Sequence, residues 1–176
     1  DPDAAFLSYG LAEAVTGSLA GLRDIVVRSP SVAAKWAVDS DPRQLGQSAD
    51  VDVIISGVIS RMGDQLRAQV QAIEAKSGTV LGAASVRGAM AEIFEFEDQL
   101  TKGVTGLLTP LRAESSGSGK TEVVRRDIPA NGRAFEAFLR GLERARHLGK
   151  APEARVCFEQ ALQEDPSFAP AWAWIG

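Results

Sequence analysis

Residues 51–72 read VDVIISGVISRMGDQLRAQVQA, and their pattern sets the fold class. Val51 to Arg61 is rich in β-branched residues, the composition of a strand. Leu66, Ala68, Val70 and Ala72 then alternate with Arg67, Gln69 and Gln71, the period-two pattern of a half-buried strand. Between the two runs, Met62-Gly63-Asp64-Gln65 carries the glycine and aspartate that a tight hairpin favours. Ser77-Gly78 marks a second tight turn into a third strand, Thr79 to Arg87. Three strands joined by two hairpins make an antiparallel meander.

Helical patterns flank this meander. Leu7, Leu11, Val15 and Leu19 recur at four-residue steps, which predicts an amphipathic helix over Phe6 to Leu19. Leu22 to Arg28, with Ile25, Val26 and Val27, reads as a short buried strand ended by Ser29-Pro30. Asp41-Pro42 opens a helix to about Ala49, with Asp41 as N-cap and proline at the first helical position, where its missing N–H costs nothing. Ile93, Phe96, Leu100, Val104, Leu107 and Leu111 repeat at three- and four-residue steps and predict a helix with one apolar face. The order implies an α+β fold, with helices packed on a mixed or antiparallel sheet.

The chain has 176 residues, 45% hydrophobic and 24% charged, with net charge −4. That is an ordinary folded composition with room for one or two cores, and an acidic one that argues against phosphate-backbone binding, so no nucleic-acid partner is expected. No apolar run approaches the roughly 18–20 residues of a membrane span. Residues 1–113 hold ten Lys/Arg against fourteen Asp/Glu, and residues 114–176 hold nine of each, so the whole net charge lies in the first part. The break between the parts is the small, polar, glycine-rich stretch 113–121, AESSGSGKT, which reads as the core of a flexible linker over 113–131. The expected domains are therefore residues 1–112, an α+β unit, and residues 132–176, a helical unit.

In the second part, Ala134 to Leu148 and Ala151 to Gln163 are helical, separated by Gly149-Lys150, and a third helix begins near Ala169. Ala154, Phe158, Ala161 and Pro166 carry the spacing of the second helix of a tetratricopeptide repeat, in which alanines let helices approach and a phenylalanine fills the gap. Trp172, Ile175 and Gly176 resemble the opening of a following repeat, with Trp172 standing 34 residues after Phe138. Gly141 falls one position early for the repeat's glycine, and Ala145 stands where a tyrosine is usual. Such repeats generally come in threes or more, so Gly176 is expected to be an artificial or proteolytic end.

Asp52, Gly57, Arg61, Gly63, Asp64, Arg67, Gln71 and Gly78 carry a phrase that resembles the TolB amino-terminal-like domain, related to the FlgO and CsgG type; the likeness extends over residues 1–112. The resemblance implies an apolar strand just before Asp1, so that the sheet of this chain would lack one strand. It also implies a setting found in bacterial regulatory proteins, where this pair of modules follows a kinase, a cyclase or a transcription regulator, and it favours an extracytoplasmic location. The implied function is a non-catalytic interaction or sensory module whose partners are proteins. The alternative is a sensor domain that binds a small ligand and controls an attached output domain.

Chemistry-bearing residues are sparse. The single Cys157 excludes an internal disulfide and sits beside Phe158 as a packing residue. The single His147 lies at a helix end near Arg144 and Arg146. Neither stands at metal-ligand spacing, so no catalytic residue, metal or cofactor is expected. Gly119-Lys120-Thr121 resembles the end of a phosphate-binding loop, but Glu114 replaces the first glycine and a helix precedes it. Glu92, Glu95, Glu97 and Asp98 fit a solvated helix start, and the arginines from Arg125 to Arg146 fit a solvated face. The expected interaction residues are the repeat positions Phe138, Ala154, Phe158, Ala161, Pro166 and Trp172. The surface candidates are Phe94, expected to be exposed, Trp174, and Arg61 with Arg67, expected to face each other across the hairpin.

Overall fold

A computed structural model describes residues 2–22, 25–33, 40–113, 129 and 131–176. The elements are α1 (Pro2–Leu19), α2 (Pro30–Ala33), α3 (Pro42–Ala49), β1 (Val53–Met62), β2 (Gln65–Glu74), β3 (Val80–Ala89), a 3-10 turn (Met90–Glu92), α4 (Ile93–Ala113), α5 (Gly132–Ala145), α6 (Ala151–Glu164) and α7 (Ala169–Ile175). The fold is α+β, with an antiparallel sheet in the order β1-β2-β3.

Turn chemistry sets the register. Gly63 adopts φ +61° in the two-residue β1–β2 turn, and Gly78 adopts φ +77° in the second turn, a region that favours glycine. Pairing therefore runs Met62 to Gln65, Arg61 to Leu66 and Ser60 to Arg67. This corrects the expected Arg61–Arg67 pair: the sum of paired positions is 127, theirs is 128, and period two sends them to opposite faces. Arg67 stands instead opposite Arg87 of β3.

The inner sheet face carries Leu66, Ala68 and Ala72 of β2 and Val86 of β3, all buried. Small residues on β3 let α4 lie close against it. A Cβ on Gly88 would stand 3.2 Å from Phe96 Cδ2, and one on Gly82 would stand 3.0 Å from Leu107 Cδ2. The expected stripe of α4 is the side that packs here: Ile93, Phe96, Leu100 and Val104 are 0–4% exposed.

Residues 25–29 lie outside any strand, correcting the strand expected over Leu22 to Arg28. Ile25 and Val27 are half-buried against the core while Val26 is exposed. The apolar run that suggested a buried strand turns Ile25 and Val27 to the core and leaves Val26 outside, and packing on the core satisfies it without a ladder partner. At α3 the expectation holds in detail: Asp41 accepts the Arg43 N–H (2.9 Å) at the N-cap. That bond holds the Asp41 carboxyl below its usual pKa.

α5 and α6 form an antiparallel hairpin, as the pairs Asn131 with Glu164, Phe138 with Phe158, and Arg144 with Glu153 require. Its core joins that of the α+β unit: Leu7, Leu11, Phe96, Leu139, Ala161 and Phe168 belong to one buried cluster. The ends of the expected linker are also structured. Ala113 closes α4, Pro129 is buried, and Asn131 caps α5 by accepting from Ala134 N (2.8 Å) while donating to Glu164 O (3.0 Å). The rest of that stretch, including Gly119-Lys120-Thr121, Arg125 and Arg126, lies outside the described residues.

Candidate functional site

The seam between α1 and α5 begins at a glycine. A Cβ on Gly10 would fall 2.6 Å from Leu139 Cδ2 and 2.8 Å from Leu139 Cβ, so only glycine permits this approach. Two cation–π contacts flank it: the Arg140 guanidinium lies 4.1 Å from the Phe6 ring centre, and that of Arg146 lies 4.3 Å from the Tyr9 ring centre. Glu136 adds ion pairs to Arg140 (2.8 Å) and Arg61 (3.6 Å), tying β1 to α5. These groups are partly solvated, so each pair contributes about 0–1 kcal/mol.

Beside this seam, α1, α4, α5 and α7 enclose a cleft of about 1110 Å³. Tyr9 and Glu13 line it from α1, with the Tyr9 hydroxyl donating to Glu13 Oε1 (2.8 Å). Burial first, and then this bond, push the Tyr9 pKa up to about 12, so the phenol stays protonated at neutral pH. Thr101, Thr105 and Gly106 line it from α4, while Phe94, Phe138, Phe168 and Trp174 supply an aromatic wall. A second cavity of about 950 Å³ lies between α1, residues 25–33 and the inner face of β1, with apolar lining such as Val15, Ile25, Ile59 and Val104.

The positions expected from the sequence to carry a repeat lie on the hairpin and its neighbour α7. Ala154, Phe158 and Ala161 are buried. A Cβ on Gly141 would fall 2.4 Å from Phe158 Cε1, so the glycine that stands one position early is the one that receives this ring. Phe138 meets Phe158 (ring centres 5.7 Å apart) and lies edge-on to Phe168 (5.0 Å), and Trp174 stacks on Phe158 (5.5 Å). Pro166 is exposed, and its carbonyl accepts from Trp172 Nε1 (2.9 Å). Trp172 and Trp174 remain 56% and 52% exposed.

Of the surface candidates, Phe94 is half-buried rather than exposed, because α5 lands on it and brings Phe135 to 5.0 Å. Arg61 is engaged with Glu136, while Arg67 is exposed on the outer sheet face, remote from the cleft lining. Cys157 is buried and accepts from Arg144 Nη1 (2.6 Å); His147 pairs with Glu143 (3.0 Å), an acidic partner one turn back that the sequence reading passed over. Among the described residues no group of three His, Cys, Asp or Glu is placed to hold a metal ion. No described helix is long and apolar enough to cross a membrane.

No protein-family model matches the chain, and no curated protein matches it. The site is therefore argued from its own geometry. Sequence reasoning missed Glu13, Thr101 and Gly106. A legible signal existed: Thr101, Thr105 and Thr109 recur every four residues on α4, beside its apolar stripe, which is a second helix face.

Proposed function

We propose that the chain is a non-catalytic interaction and sensory module of a larger bacterial regulatory or envelope protein. In this reading it joins a TolB amino-terminal-like unit to a tetratricopeptide-type hairpin. The observation that carries it is the interlock: Phe158 takes the space left by Gly141, and Trp174 of the next helix stacks on the same ring. Helices that stack in this way form an extended surface for a partner protein, here opened by the exposed rings of Trp172 and Trp174.

The test is capture of a protein partner by the chain, compared with the double variant Trp172→Ala and Trp174→Ala. Loss of capture at unchanged helical content supports engagement through the helical unit. Undiminished capture moves the site to the α+β unit, and turnover of ATP or another nucleotide by the chain refutes the non-catalytic reading.

A second reading, small-ligand sensing, is favoured by one specific observation. The cleft sets the rings of Phe94, Phe138, Phe168 and Trp174 beside hydroxyl and charged groups, an apolar surface with convergent polar groups as in a ligand site. It lies where α1 and α4 of the α+β unit meet α5 and α7 of the helical unit, so a ligand there would touch both.

A further inference from the structure

We propose that the cleft between α1, α4, α5 and α7 binds an uncharged small molecule with an aromatic or similarly flat apolar body and one hydrogen-bonding group, which Thr101 receives. The proposal rests on the ligand-sensing reading and names the class of ligand.

Thr101 is 8% exposed and lines the cleft. Its hydroxyl makes no hydrogen bond among the described residues. Thr109 on the same helix shows the ordinary solution, turning its hydroxyl back onto Thr105 O (2.9 Å). Thr101 forgoes that bond, and a buried hydroxyl without a partner lowers stability. A ligand carrying a donor or acceptor to this depth would complete it.

The helix also keeps space open. Gly106 stands exposed at the mouth of the cleft within the 21-residue α4, where glycine lowers helix stability, and a Cβ there would meet nothing within 4 Å. No close approach of another element explains this glycine. Phe94, Phe138 and Trp174 line the same cleft and offer the apolar body its contacts.

Charge argues for a neutral ligand. Of the cleft's ionic groups, Glu13 accepts the Tyr9 hydroxyl, Arg146 lies over the Tyr9 ring, the half-buried Glu97 one turn before Thr101 is itself engaged, and Asp98 and Lys102 are exposed. A charge carried down to Thr101 would find a hydroxyl, rings and a carboxylate that is already engaged, and burial of an unpaired charge is strongly unfavourable. The volume of about 1110 Å³ exceeds the roughly 300–1000 Å³ of common ligand sites, so size does not exclude a two-ring molecule.

The probe is N-phenyl-1-naphthylamine, an uncharged aromatic with a single N–H, titrated into the full 176-residue chain and read by its fluorescence. One saturable site is expected. Thr101→Val should weaken binding about three- to tenfold, the worth of one hydrogen bond, while the melting temperature holds or rises because an unpaired hydroxyl is removed. Gly106→Leu should abolish binding at unchanged circular dichroism, since it fills open space. Binding indifferent to both variants would place the probe elsewhere, such as the cavity beneath β1, and overturn the proposal. A melting temperature clearly lowered by Thr101→Val would assign the hydroxyl a structural role and also overturn it. If ATP or another charged metabolite raises the melting temperature and the probe does not bind, ligand sensing stands and the neutral class falls. If neither acts, both fall.

Discussion

On its sheet side, α4 comes so close to β3 that the glycines opposite it, Gly82 and Gly88, have almost no space for a Cβ. On its hairpin side, the same helix stands back and leaves a cleft, and its own Gly106 faces open space. Both faces use small residues, yet in one they permit contact and in the other they preserve a void. Residue type alone does not give a glycine its purpose; the element opposite does. The tight face should govern stability, and the open face should tolerate change or gain from it.

Four tests probe that contrast, beginning with the largest effect. Phe96 is 1% exposed on the tight face, so Phe96→Ala should cost about 3–5 kcal/mol in urea unfolding, whereas Phe94→Ala, two residues earlier and half-buried at the cleft, should cost clearly less. Equal losses would break the comparison. Gly88→Val adds branches where a Cβ already lies 3.2 Å from Phe96, and should destabilise by about 1–3 kcal/mol in the same assay. Gly106→Ala should have the opposite sign, raising stability by about 0.5–1 kcal/mol, because nothing stands in the way and the helix gains propensity. A loss there would mean that the open face is packed after all.

The last test depends on pH. Tyr9 has a folded pKa of about 12, against about 10 for an unperturbed tyrosine. Between those values the unfolded chain releases its proton first, so the contribution is whole below about pH 10 and is lost as pH rises through 12. Thermal melts from pH 9 upward should show this decline, and Tyr9→Phe should remove that part of it. An identical decline in the variant would take Tyr9 out of the cleft's polar wall.

Much of the fold was legible because local chemistry governs it. The two turns place glycine at positive φ, β2 follows its alternation, and the apolar stripe of α4 follows helical period. Even the parity that separates Arg61 from Arg67 was present in the two-residue turn, though the reading paired them. Ile25 to Arg28 misled for a physical reason: an apolar run reports burial, and a segment packed on the core meets that condition without strand partners. Phe94 misled because its environment comes from α5, distant in sequence.

By itself, the sequence determined the α+β class, the meander and the helical hairpin, since each follows from contacts within or between neighbouring elements. Only the tertiary structure decided that the two parts share a core through Gly10 and Leu139, and that the early glycine Gly141 seats Phe158. The same holds for the cleft. Its volume is what remains when α1, α4, α5 and α7 meet at a few close contacts and diverge elsewhere, and such a remainder depends on all four elements at once.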